Sequence, residues 1–102
     1  MSERRGLIAT PFSRAELDGM RRGRIGEKRG RELGQQGVSG MIDVIREAAT
    51  TEDPAISAGM VLGYSLELSG HMFSNQVIRM GYFGQLRTRL NVAIMEVRST
   101  RP

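Results

Sequence analysis

From Ser13 to Thr50 the small, apolar and charged positions repeat with the period of a helix. Seven glycines, Gly19, Gly23, Gly26, Gly30, Gly34, Gly37 and Gly40, recur at spacings of 4, 3, 4, 4, 3 and 3. At about 100° per residue they fall inside an arc of roughly 120°, on the same side as Ala15, Leu33, Met41, Val44 and Ala48. The pattern predicts one long helix over about residues 14–49 with a face almost bare of side chains. An interior glycine costs a helix about 1 kcal/mol relative to alanine, so seven forfeit roughly 7 kcal/mol, which close approach of a second backbone can offset. The start is well marked, with Ser13 as N-cap, Glu16 as its capping-box partner, and Phe12 placed to pack on Leu17.

A polar break at Thr50, Thr51 and Glu52 leads to Asp53 and Pro54, which fit the N-cap and first position of a second helix over about 54–98. That helix has its own mostly small stripe: Ala55, Gly59, Gly63, Leu66, Gly70, Ser74, Val77, Gly81, Gly84 and Thr88. Gly70 and the pair Ser74 and Asn75 are its weak points, where a kink or break near 70–75 is the alternative. Folding the chain back at the Asp-Pro turn sets Gly40 against Gly63, Gly34 against Gly70, Gly23 against Gly81 and Gly19 against Gly84, with bulky Leu66 opposite Gly37. The expected fold is all-α, a long antiparallel helical hairpin packed through matched glycine stripes. Its axes would lie at or below the short end of the usual range of about 8–10 Å.

Helix 2 has a further apolar stripe nearly opposite its glycines: Val61, Leu68, Met72, Phe83, Leu86, Leu90, Ile94 and Val97. A two-helix hairpin cannot cover both faces of one helix, so this stripe is the expected interface with other copies or with a partner protein. If helix 2 breaks, a compact three-helix monomer would bury the same residues instead. Arg79 interrupts the stripe and is a buried-charge candidate. It should meet a carboxylate, an anion or water, unless its stem packs and its head snorkels out.

Length and charge add to this picture. A chain of 102 residues with 39% hydrophobic content and five aromatics supports one domain, 13–102, after a basic N-terminal arm, 1–12, that contains Arg4 and Arg5. Its core is modest unless it associates. The net charge is +4, and fourteen of the fifteen cations are arginine, a side chain suited to bidentate contact with phosphate or carboxylate. Arg14, Arg21, Arg22, Arg24, Lys28, Arg29 and Arg31 crowd helix 1 and form a polyanion-binding candidate, the competing reading being a solvated face.

Chemistry is sparse. With no cysteine and one histidine, neither disulfides nor a convincing metal set can be assembled, and no nucleophile and base pair stands out. Gly19 to Gly26 superficially suggests a phosphate-cradling loop, but no strand precedes it. No enzymatic activity, cofactor, metal or small-molecule substrate is expected. The longest charge-free run, 54–66, is too short to span a bilayer. The expected setting is soluble, cytoplasmic or within a secreted or virion assembly without a cleaved signal peptide. The leading expectation is a non-enzymatic, self-assembling structural subunit of a ring, rod, filament or coat, with further copies as partners. The alternatives are a nucleic-acid-binding protein using the arginine-rich face, and a small inhibitor or adaptor of a host protein, with nucleic acid or an acidic protein as partner.

Overall fold

The computed structural model describes residues 11–100, so the expectation for the arm falls, up to residue 10, outside the described residues. The chain is all-helical: α1 (Arg14–Gly34), a 3-10 turn (Gly37–Gly40), α2 (Met41–Thr50), α3 (Pro54–Met72) and α4 (Gln76–Ser99), with no strand among the described residues. The helix starts follow the sequence signals. Glu16 N–H donates to Ser13 Oγ at 3.1 Å and Ser13 N–H to Glu16 Oε1 at 3.0 Å, a complete capping box. Asp53 Oδ1 accepts from Ala55 and Ile56 N–H ahead of Pro54, and Asn75 Oδ1 accepts from Val77 and Ile78 N–H.

Both long predicted helices are broken. Helix 1 stops at Gly34 and resumes at Met41, because Gly37 takes φ +70°, a left-handed conformation open to glycine at little cost. The segment Gly34 to Gly40 holds three glycines, Val38 and Ser39 and is the weakest helix former of the stretch, so a turn costs little there. Helix 2 breaks at Phe73–Asn75, the weak point read from the sequence.

The first break changes how the glycines pack. A Cβ built on Gly26 would lie 2.1 Å from Ile56 O, one on Gly30 2.1 Å from Met60 O, and one on Gly34 within 3.3 Å of Tyr64 O. In return, a Cβ on Gly59 would lie 2.2 Å from Gly23 O and one on Gly63 2.1 Å from Glu27 O. The residue numbers rise together, so α1 and α3 run parallel with backbone against backbone, and the expected antiparallel pairing of Gly19 with Gly84 and Gly23 with Gly81 does not form. The intervening α2 returns the chain between them. It runs antiparallel to α3, with Ser57 Oγ donating to Ala48 O at 3.0 Å at one end and Tyr64 Oη donating to Gly37 O at 2.9 Å at the other. Close contact at Gly23, Gly26, Gly30, Gly34, Gly59 and Gly63 is thus intramolecular. Gly40 is tight for a different reason, its hydrogen facing Leu33 O in the turn. Gly19 has no close neighbour, Gly37, Gly70, Gly81 and Gly84 meet nothing, and Leu66 is half-buried.

Central α3 is enclosed by α1 on its glycine side and by α2 and α4 elsewhere. The core gathers Leu33, Val44, Ala48, Ala49, Met60, Val61, Tyr64, Leu68, Leu86, Leu90 and Ile94. At the far end of α4, Arg98 donates from Nη2 to Ala48 O at 2.9 Å and to Ser57 Oγ at 3.1 Å, and from Nε to Ala49 O at 3.3 Å. A cation there meets the orphan carbonyls and the negative dipole end of α2.

Candidate interaction surfaces

The arginine-rich face of α1 is largely neutralised from within. Arg21 and Arg22 both pair with Asp18, and Arg22 Nε also lies 2.9 Å from Asp53 Oδ2, as an ion pair without hydrogen-bond alignment. Arg29 grips Glu47 of α2 through two bonds, 2.8 and 2.6 Å, and Arg31 joins Glu27 of its own helix to Glu67 of α3 at 3.2 and 3.1 Å. The Arg29 bond holds the Glu47 carboxyl below its usual range, and hydrogen bonding to Arg21 does the same for Asp18. Arg14, Arg24 and Lys28 are exposed and make no ion pair among the described residues, and the same is true of Arg46, Arg87 and Arg89. Of the seven polyanion-binding candidates, then, Arg21, Arg22, Arg29 and Arg31 are engaged. The Arg29 and Arg31 partners lie 18 and 36 residues away, so sequence reasoning saw the cations and missed the carboxylates that the fold brings to them.

The stripe expected at an oligomer interface is instead core. Val61, Leu68, Leu86, Leu90 and Ile94 are buried within one chain, Phe83 and Val97 are half-buried, and Met72 is exposed. The break at Phe73–Asn75 lets α4 fold back along α3, so these residues cover each other without a second copy. Among the described residues Arg79 meets no carboxylate. It is half-buried and donates to Phe73 O at 3.0 Å and Ser74 O at 3.3 Å, clasping the linker at the negative end of α3. The ring of Phe73 packs on Tyr82 with centroids 5.1 Å apart. His71, exposed, pairs with Glu67 at 2.9 Å.

Apolar residues such as Ile25, Val38 and Ile42 are exposed singly elsewhere, and the other side of α4 is uncovered along its length. Val77, Met80, Gly81, Gly84, Thr88, Asn91, Val92 and Met95 are all exposed. At about 100° per residue they share one arc of about 120°, centred nearly opposite the buried Leu86, Leu90 and Ile94. None carries a charge, and Val77, Met80, Val92 and Met95 are 79%, 63%, 50% and 67% exposed. Val77, Gly81, Gly84 and Thr88 belong to the stripe expected to pack on α1. Beside this seam lies a groove of about 600 Å³ among α1, α3 and α4, lined by apolar Met20, Ala55, Ala58 and Leu62 and by polar Arg24, Glu27, Arg87 and Asn91.

Comparison with known proteins found no match to a family model, to a curated protein or to a solved structure. Function must therefore be argued from these surfaces. No helix among the described residues is long and apolar enough to cross a membrane. Three features escaped the sequence reading. Arg98 as a cap on α2 was hidden by a separation of about fifty residues, and the Tyr64 hydroxyl on Gly37 depended on the unforeseen turn. Of the outward seam of α4, Val77, Gly81, Gly84 and Thr88 were legible as part of a stripe, but Met80, Asn91, Val92 and Met95 were not, nor was the direction in which the seam faces.

Proposed function

We propose that this protein is a non-enzymatic structural subunit that works by associating with further copies through α4. The observation that carries the reading is the uncharged seam on the outer face of α4, which keeps four large apolar side chains in solvent although the helix already has a complete buried face. Scattered single exposed apolar residues are ordinary, whereas a continuous row over five turns is characteristic of a contact surface. The surface offered for assembly is thus the glycine-bearing face of α4, not the apolar stripe buried against α3, and α1 is docked on α3.

The internal pairing of α1 weakens the nucleic-acid reading without removing it. Arg24 and Lys28 on α1, with Arg87 and Arg89 on α4, are cations with no ion pair among the described residues, and they favour a polyanion as the second reading. Light scattering of the intact chain over a range of concentration, at low and high salt, with and without a short generic DNA or RNA, separates the two. A mass above the monomer that is indifferent to nucleic acid supports the structural subunit. A monomer that gains mass only with nucleic acid, and loses it in salt, reverses the ranking.

A further inference from the structure

We infer that two copies pair isologously, with the α4 helices antiparallel and crossing where Gly84 of each faces Thr88 of the other. This rests on the self-association proposed above and specifies its geometry. The seam is ordered as a palindrome: large residues at both ends, small ones in the middle. About a point between Gly84 and Thr88, an antiparallel two-fold sets Val77 against Met95, Met80 against Val92 and Gly84 against Thr88, so large meets large where crossing helices diverge and small meets small where they touch. A self-complementary patch is what a two-fold interface requires, because each residue must meet its counterpart twice. The centre is also sterically open, since a Cβ at Gly81 or Gly84 would meet nothing within 4 Å in the single chain.

The absence of charge along the seam suits a second copy. Net charge +4 sets two copies weakly against each other, and none of the seam residues adds to it. Antiparallel pairing also brings exposed Glu96 near the first turn of the partner's α4, where the helix dipole is positive. From Val77 to Met95 the seam is about 27 Å long and 10–12 Å wide. That footprint of about 300 Å² falls short of the roughly 800 Å² per partner of a standard interface. The adjoining groove supplies more: Asn91 belongs to both, so a second α4 lying on the seam also covers Met20, Ala58 and Leu62.

The chain has no cysteine, so single introduced thiols report geometry cleanly. Val77→Cys and Met95→Cys are prepared separately and treated with a short bismaleimide, alone and mixed. The expected result is a crosslinked dimer from the mixture and none from either variant alone. Like-with-like crosslinking of Val77→Cys would show parallel pairing, and a dimer without either crosslink would show another face in use. Both outcomes overturn this geometry while leaving self-association standing. A monomer at every concentration overturns both. Gly84→Leu gives the independent arm: it should weaken association at least tenfold while the single chain keeps its helicity and its thermal stability, because that position is open. Association unchanged in this variant would also overturn the inference.

Discussion

Gly30→Ala is the sharpest test of backbone contact between α1 and α3. The added Cβ would sit 2.1 Å from Met60 O and 2.8 Å from Tyr64 N, both parts of the α3 backbone, which cannot swing aside as a side chain can. Ordinary contact begins at 3.4 Å, so the two helices must part by 1.3 Å there (3.4 minus 2.1). A gap of about 0.5–1 Å already forfeits a quarter to a half of each dispersion well, and the same displacement is felt at Gly26, Gly59 and Gly63. Overpacking of this kind costs about 3 kcal/mol, against which alanine restores about 1 kcal/mol of helix propensity. The net loss is about 2 kcal/mol, or roughly 10 °C in melting temperature for a domain of this size. Gly70→Ala is the matched control, since nothing lies within 4 Å of its Cβ, and it should gain about 0.5–1 kcal/mol. Urea unfolding followed by circular dichroism at one fixed protein concentration measures both. If Gly30→Ala proves as stable as Gly70→Ala, the helices do not touch through their backbones and the packing argument fails.

Gly23→Ala should gain about 0.5–1 kcal/mol in the same assay, as Gly70→Ala does, because it is interior to α1 and its Cβ meets Ala55 O at an ordinary 3.9 Å. Burial pushes the Tyr64 phenol up to about 12 from a value of 10.0, so the unfolded chain ionises first as pH rises. Stability should therefore be complete below pH 10 and fall from there towards pH 12, a component that Tyr64→Phe removes while costing about 1 kcal/mol at neutral pH through the lost bond to Gly37 O. Arg98→Met should lower stability by about 1–2 kcal/mol in urea titrations, since the carbonyls of Ala48 and Ala49 lose their charged donor. Glu47→Gln should cost less than about 1 kcal/mol at neutral pH, the pair with Arg29 being half exposed. Because Glu47 titrates below 4.5 in the folded chain, its contribution is present above that pH and fades as pH falls further, which comparing acid titrations of the two proteins would reveal.

Local signals survived the passage from sequence to structure better than long-range ones. The capping box at Ser13 and Glu16, the Asp53 and Pro54 start, and the weakness at Ser74 and Asn75 were legible because each depends on neighbours within four residues. The all-helical class followed from periodicity for the same reason. What periodicity could not distinguish is why a glycine is present. Gly30 is bare so that another backbone can approach, whereas Gly37 supplies a left-handed turn, yet the two lie on the same helical wheel face. Reading Gly37 as one more packing position made helix 1 continuous, and an unbroken helix 1 can meet helix 2 only in antiparallel fashion. The misdirected interface follows from that single step. With α1 placed along Ala55 to Gly63 rather than along the whole of helix 2, the outer stripe of α4 was released to solvent and the apolar stripe turned inward. Similarly, the arginines of α1 could be counted from the sequence, but their free charge depends on Glu47 and Glu67, which only the tertiary fold delivers.

The interlock of α1 with α3 is periodic, and a periodic contact fixes spacing far better than it fixes position along the axis. Glycines four residues apart on both helices form a ratchet: slide α1 by one turn and most teeth find another notch. What distinguishes the true notch is the set of charged pairs reaching from α1 to its neighbours, Arg22 to Asp53, Arg29 to Glu47 and Arg31 to Glu67, together with Leu33 in the core. Each half-exposed pair contributes about half a kcal/mol, but a slipped copy loses all of them together. Weak charges thus act as the index mark on a scale that the glycines have ruled.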